Sequence, residues 1–480
     1  MKKFYFSIIF LLTVAPMLRA ENVGAPAECE DVMLQAFYWD SYTLTKYGRT
    51  KWIDLLADTA AINANFDLVW FPPSASSTGG VGYYHACLSN QDSEWGQKSK
   101  LQSLIAALHK GNTKVLGDIV VNHRGNKSSW VDFWEDDFTI LYGGKFQLTQ
   151  EHICAGDEAF TSSDSPYKGS STHGATDSGT NDAGARDLDH KSEYVQKWVK
   201  AYLKWMKNYM RYDGFRYDMT RGYSGAYLKM YNEDAQPYFS VSEYWESIIN
   251  TVNHLKTTEF NTTVFDFPLK YVIGNALKAN NYSLLVKPNE SLRGRGYSRY
   301  AVTFIDNHDT FERSDNQGGE FIGYNIDLKN ATYKNKILQA NAYILMLPGV
   351  PCVFWPHWKS YPDEISALIA LRKKAGIHSE SAILSETASG NVYEVKVQGH
   401  RGEIIMRMGA NRSKDVPDGF YTAIEGDDVA AYTIFAQNGT GIEDIKANGE
   451  GTKGEKFVKD GKLFIRVGET VFDVLGNKVK

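Results

Sequence analysis

Residues Val115–Arg124 read VLGDIVVNHR. Up to Val121 the stretch is apolar except for Asp118, and its valines and isoleucine suit a pleated, buried surface. It then stops on three polar residues, Asn122, His123 and Arg124. A run that is apolar on both faces belongs to a strand covered on both sides, as in parallel sheets. Seven more runs of this kind are spaced along the chain: Val32–Phe37, Leu68–Phe71, Gly214–Tyr217, Tyr238–Val241, Thr263–Phe267, Ala301–Ile305 and Cys352–Trp355. Amphipathic stretches such as Lys51–Asn63, Lys98–Lys110, Ser192–Met210, Tyr333–Leu347 and Asp363–Lys374 lie between them. Eight buried strands alternating with helices place the chain in the α/β class, and eight is the count that closes a TIM (β/α)8 barrel.

The alternation is interrupted once and then ends. Between His123 and His190 the chain is rich in Gly, Ser, Thr and Asp, and over Thr161–Gly184 no apolar period survives. An insertion of that length within a compact domain is functional or disordered, and its Asp and Asn content suits organisation by a hard cation. After Ser381 short alternating runs, Val392–Val397, Glu403–Met408 and Ala430–Phe435, predict a small antiparallel β-sheet domain. Hairpin-like runs at Lys462–Val467 and Thr470–Leu475 sit among Gly/Lys-rich spacers. The expected division is a signal peptide over 1–20, a barrel over 29–380 with a domain inserted at about 123–190, a β-sheet domain over 381–436, and an accessory or sorting-like tail over 437–480.

Composition narrows the function. The chain has 480 residues, 43% of them hydrophobic, and a formal net charge of −5 without any Lys/Arg block. It can fill a large core and carries no signature of a nucleic-acid partner. The 29 Tyr and 11 Trp furnish flat apolar rings with polar edges, which match sugar faces as well as they match ordinary core. Lys2 and Lys3, the apolar run Phe4–Val14 and the small Ala20 have the layout of a secretory signal peptide. Cleavage is expected after Ala20, with Ala25 or Ala27 as alternatives, giving a protein outside the cytoplasm without an integral membrane segment. Glu28 before Cys29 argues against a lipid anchor. Cys29, Cys87, Cys154 and Cys352 show no C-x-x-C spacing, so zinc is not expected.

The strand ends carry the chemistry. Period-two alternation puts Asp118, Val120 and Asn122 on one face, and Arg216 with Asp218 on another. Glu243 follows the fifth run; His308 and Asp309 close the seventh. Polar groups at the C-terminal ends of barrel strands converge on one mouth. Asp218, Glu243 and Asp309 supply what glycosidic cleavage needs: a nucleophile, a proton donor and a stabiliser of positive charge. Arg216 is expected to keep Asp218 ionised, and repulsion from the other carboxylates to keep Glu243 protonated. Tyr83, Trp245 and Phe311 flank these ends as sugar platforms or as rim packing.

In order and spacing, GDIVVNHR (117–124), GFRYDMTR (214–221), VSEYW (241–245) and FIDNHD (304–309) resemble the four signature regions of the α-amylase family, glycoside hydrolase family 13. The likeness extends to LQAFYWD (34–40), PPSASSTGGVGYY (72–84), ARDLDH (185–190) and PGVPCVFWPH (348–357). RGYS (221–224), the DLDH of 187–190 and ISALIALRKKAGI (365–377) bring it nearest to plant-type α-amylases. It covers roughly residues 31–435 and implies a barrel, an inserted domain B and a C-terminal sheet.

Motif by motif, the resemblance implies Asp218 as nucleophile, Glu243 as acid/base and Asp309 as transition-state stabiliser. Tyr83, His123, Arg216 and His308 would contact the substrate, with Trp245 on the leaving-group side. It implies Ca²⁺ held by Asn122, Asp187 and Gly222, with Asp177 and Thr180 at the spacing of the remaining ligands. A second calcium through Asp157, Asn181 and Asp187 is a weaker expectation, because Asn181 replaces a carboxylate. Two departures stand out: Arg186 occupies a position that is proline in the plant-type pattern, and the segment after Tyr83 is shortened. The implied activity is retaining endo-hydrolysis of α-1,4-glucosidic bonds in starch, glycogen or maltooligosaccharides by a monomer. A transglycosylase or an exo-acting enzyme would share the same motifs, since loops set specificity. A non-catalytic glucan-binding relative would be expected to have lost one of the acids or Arg216, and none is lost.

Overall fold

The computed structural model describes residues 23–439 except 141–142, 182–183, 312, 314–335 and 428–429. It also describes the backbone of strands Glu455–Lys459, Lys462–Val467, Thr470–Asp473 and Lys478–Val479. The expected signal peptide lies outside the described residues.

Eight strands close into a barrel: β1 Met33–Gln35, β2 Leu68–Trp70, β3 Lys114–Ile119, β4 Gly214–Tyr217, β5 Ser240–Ser242, β6 Thr263–Phe265, β7 Ala301–Phe304 and β8 Val350–Phe354. Each pairs in parallel with its sequence neighbours, and β8 returns to β1 with Cys352 opposite Met33. Apart from a half-buried Lys114 at the start of β3, every strand residue is buried, which is why the runs read as continuous rather than alternating. All eight runs foreseen from the sequence overlap a barrel strand, with ends that differ by one or two residues at several of them.

The helices follow the pattern of their apolar positions. Glu193–Trp205 buries Val195, Trp198, Val199, Tyr202 and Trp205, a stripe of i, i+3, i+4 and i+7 spacing. Pro362–Ala375 shows why a helix starts and stops where it does. Proline sits in its first turn, Asp363 and Glu364 face the positive end of the dipole, and Arg372, Lys373 and Lys374 face the negative end. Gly376 then terminates it at φ +70°, a conformation costly for any residue with a Cβ. Arg372, fully buried, donates to the carbonyls of Leu345, Leu347 and Gly349, which have no helical partner at the turn into β8. Among the described residues no helix is long and apolar enough to cross a membrane. The four cysteines are unpaired.

Between β3 and β4 the described residues of the insertion form short ribbons, including His123–Arg124 against Arg186–Asp187, and two short helical turns, Gln150–His152 and Glu158–Thr161. Beyond the barrel, β9 Ala382–Ser389, β10 Val392–Gly399, β11 Gly402–Met408, β12 Phe420–Glu425 and β13 Tyr432–Gln437 make an antiparallel sheet in the order β9-β10-β11-β13-β12. Tyr393, Val395 and Val397 of β10 point inward and are fully buried. The sheet is joined to the barrel by the buried pair Arg293–Glu386, at 2.8 Å, whose carboxylate also accepts from Tyr393 Oη. The tail strands form a separate four-stranded antiparallel sheet.

Candidate active site

At the C-terminal ends of the strands lies a cleft of about 520 Å³, lined by Trp39, Tyr83, Tyr84, His123, Asp218, Met219, Arg221, Glu243, Trp245, His308 and Asp309. All eight residues expected at the catalytic centre meet here; seven line the cleft, and Arg216 lies beneath them, 1% exposed.

Arg216 is the hub. Its Nη1 lies 2.7 Å from Asp218 Oδ1 and 2.8 Å from Asp118 Oδ1, and its Nη2 lies 3.1 Å from Glu243 Oε2. The guanidinium also rests 5.0 Å over the Trp70 ring. One cation among three buried carboxylates leaves an excess of negative charge, which protonation relieves. Burial pushes Glu243 up to about 8, against the pull of Arg216 and with the help of Asp218 and Asp309. Burial pushes Asp118 up to about 7, again opposed by Arg216. The hydrogen bonds decide which of the two holds the proton. Asp118 accepts from Arg216, from Trp70 Nε1 at 3.0 Å and from Tyr83 Oη at 3.1 Å, a set of donors that favours the carboxylate. Glu243 accepts from the Met219 amide and the guanidinium at one oxygen and opens to the cleft, so the proton belongs on Glu243. Burial, and not repulsion between carboxylates, is the larger cause of that protonation.

On the opposite wall, Trp39, Tyr83 and His308 lie nearly parallel, within 10° of one another. Gln35 Nε2 donates to His308 Nδ1 at 3.1 Å, which places the imidazole proton on Nε2. That proton faces Tyr83 Oη at 2.6 Å and Asp309 Oδ2 at 3.2 Å. Burial drives the His308 pKa well below its ordinary value, so the ring is a neutral donor. His123 Nε2 contacts the Tyr83 carbonyl at 3.0 Å. Arg313 bridges to Asp309 at 2.9 Å and lies 3.3 Å over the Trp39 ring. Trp245 stacks on Phe267 and donates to Tyr271 Oη, leaving its other side to the cleft. Phe311 is buried against Tyr47 and Phe354: it is rim packing, not a platform.

The expected calcium ligands also gather. Asn122 Nδ2 lies 3.2 Å from Asp187 Oδ1. A Cβ on Gly222 would fall 2.0 Å from Asn122 Oδ1, so only glycine brings that backbone so near. Thr180 N donates to the Arg221 carbonyl, and Asp177 Oδ2 is buried without a hydrogen-bond partner. A mixture of carboxylate, amide and backbone oxygens with one orphaned anionic oxygen fits a hard cation. The residues expected for a second calcium adjoin one another, but the Asp157 oxygens are already engaged. Asp157 Oδ1 accepts from Arg186 Nη1 at 2.7 Å and the Ala159 amide, and Oδ2 accepts from the Asp187 amide. Arg186 also pairs with Glu158. Asn181 turns its amide nitrogen to the Gly156 carbonyl. The Arg186 guanidinium already supplies positive charge to the buried Asp157 carboxylate.

Sequence reasoning assigned no role to Asp118, Trp39, Arg221 or Arg313. Asp118 and Trp39 carried a signal, lying on the inward face of the third strand and just past the first.

A family profile described as "Alpha amylase, catalytic domain" matches residues 62–228. "Alpha-amylase 3, chloroplastic" from Arabidopsis thaliana is 30% identical over 83% of this chain, and the chain spans only 43% of that relative's length. "Probable alpha-amylase 2" from the same plant is 30% identical over 79% of this chain and 88% of its own length. Among solved structures, the acarbose complex of the α-amylase of Geobacillus thermoleovorans aligns with a TM-score of 0.60 at 15% identity, covering 85% of this chain and 98% of that one; this likeness speaks for the fold alone. With a barrel of this topology, these signature segments in one cleft and a relative matched along nearly its whole length, the chain belongs to the α-amylase family of glycoside hydrolases.

Proposed function

We propose that the protein is an exported, endo-acting α-amylase that hydrolyses α-1,4-glucosidic bonds of starch, glycogen or maltooligosaccharides with retention of configuration. The observation that carries this reading is the sharing of the Arg216 guanidinium by Asp218 and Glu243 in a cleft with aromatic walls. Asp218 attacks the anomeric carbon while Glu243, kept protonated by burial, gives its proton to the departing oxygen. Glu243, now a carboxylate, takes a proton from the water that releases the sugar from Asp218. Two displacements at one carbon restore its configuration. Asp309 stabilises positive charge on the ring in between, and the neutral His308 donates to sugar oxygens or to Asp309. Tyr83, His123 and Trp245 bound the sugar next to the cut bond.

Calcium is the cofactor in this reading. Asn122, Asp177, Thr180, Asp187 and Gly222 would hold it, and when bound it supplies positive charge that ties the insertion to the rim of the cleft. Export rests on the Lys2–Ala20 segment.

Product analysis on soluble starch tests the reading. The expected early products are mixed maltooligosaccharides whose new reducing ends appear first as the α-anomer by NMR. A single short product from the outset would overturn endo-action, and β-anomers appearing first would overturn retention.

A further inference from the structure

Far from the cleft, three chain segments meet under the barrel's last loop. Glu28 precedes β1, His378 follows the helix Pro362–Ala375, and His400 sits in the turn between β10 and β11. We propose that Glu28, His378 and His400 form a transition-metal site that pins the start of the barrel and its final loop to the C-terminal sheet.

The three side chains offer one donor atom each, all within 4.8 Å of one another. The imidazoles stack at 4.1 Å between centroids and 20° between planes. His400 Nδ1 lies 3.0 Å from Glu30 Oε1. That contact takes the ring proton and leaves the lone pair on Nε2, which faces Glu28 Oε2 at 3.6 Å. A carboxylate behind a ligating histidine is the usual orienting partner in metal sites. For a tetrahedral ion about 2.1 Å from nitrogen and oxygen donors, the donors stand about 3.4 Å apart, so this edge is nearly formed. His378 accepts a 3.2 Å contact from the Glu380 amide at Nδ1, which marks Nδ1 as its lone-pair nitrogen; the ion would take over that lone pair.

The backbone is already fixed around these groups. Ser379 N donates to the Cys29 carbonyl and Cys29 N to Ser379 Oγ, while His400 N donates to the Gly376 carbonyl. The Glu28 amide is held by Glu380 Oε2 at 2.8 Å. Little backbone ordering remains for the ion to impose; the side chains would rotate toward it and the Glu380 amide would give up its contact with His378. Two imidazole nitrogens and one carboxylate select an ion of the zinc, copper or nickel class over calcium, which prefers oxygen donors throughout. One position stays open to water.

Zinc chloride titrated calorimetrically into the calcium-saturated full chain checks this. One zinc per chain should bind and raise the melting temperature. Glu28→Gln and His400→Gln sit at positions 61% and 40% exposed, so both should melt like the parent without zinc and retain its starch hydrolysis. Each should weaken zinc binding at least tenfold and abolish most of the thermal shift. Absence of saturable binding, or binding of equal strength in both variants, would overturn the site.

Discussion

Tyr83 Oη lies 2.6 Å from His308 Nε2, and this contact couples two sides of the catalytic centre. His308 donates to Tyr83 or Asp309, and Tyr83 Oη donates a hydrogen bond to Asp118, the carboxylate that braces Arg216. Tyr83→Phe keeps the ring and cuts the chain. It should lower kcat/KM on maltooligosaccharides by about 10- to 100-fold, the scale of one to two buried hydrogen bonds, with an unchanged circular dichroism spectrum. Parent-like kinetics would show that the relay is idle.

Asp218 and Glu243 are distinguished by substrate, not by loss of activity alone. On an activated α-glucosyl fluoride, which leaves with little protonation, Asp218→Ala should be dead. Glu243→Ala should turn the fluoride over yet fail on starch, where the acid contributes roughly 10²- to 10⁴-fold. With azide, Glu243→Ala should yield the α-glycosyl azide and Asp218→Ala at most the β-azide. The reverse pairing would exchange the two roles.

Glu243 must carry a proton to act as the acid, and burial raises its pKa to about 8. A raised carboxyl pKa keeps the proton below that value and loses it as pH rises through it. The basic limb of kcat/KM on maltooligosaccharides should therefore fall near pH 8, and it should be missing on the glucosyl fluoride, which needs no acid. A basic limb common to both substrates would point to another group, with Asp118 at about 7 the nearest.

Calcium should bind once per chain through Asn122, Asp177, Thr180, Asp187 and Gly222. At a thousandfold excess over its dissociation constant it should stabilise the fold by about 4 kcal/mol, and chelation should lower the melting temperature and open the insertion to proteases. Arg186→Ala, leaving Asp157 buried without its partner, should cost about 3–5 kcal/mol of stability at any calcium concentration. A metal-free protein with an unchanged melting curve would remove calcium from the account.

Cleavage should fall after Ala20. The Gly24 carbonyl accepts from the Ser240 amide, Val23 N donates to Asn261 Oδ1, and Arg299 donates to the Ala25 carbonyl. Cutting at Ala25 or Ala27 would discard a segment that closes the bottom of the barrel. N-terminal sequencing of exported protein should read Glu21; a start beyond Val23 would contradict this.

The barrel was legible because its strands are buried on both faces, so hydrophobicity alone traces them. The acids were legible because each stands where an apolar run stops. Arg186 was visible as an anomaly, but not its partners: Asp157 and Glu158 lie 29 and 28 residues away, across loops with no period to set their register. Arg313 gave no signal at all, since nothing local links it to Trp39, far back in the sequence. Likewise the cause of Glu243's protonation is a property of the enclosed cleft, and a linear reading could invoke only the neighbouring charges.

Two kinds of positive charge serve the insertion in this reading, the proposed calcium and the Arg186 guanidinium. A bound ion equilibrates with the medium and can be diluted out or stripped away. A guanidinium fixed to the backbone remains at the same effective concentration everywhere. On the proposed reading, the stretch around Asp157 and Glu158 should thus be indifferent to the ionic composition of the medium, and dependence on dissolved calcium should be confined to the seam between Asn122, Asp177 and Gly222. In a calcium-poor medium the insertion should loosen from that seam first, while its far side stays closed around Arg186.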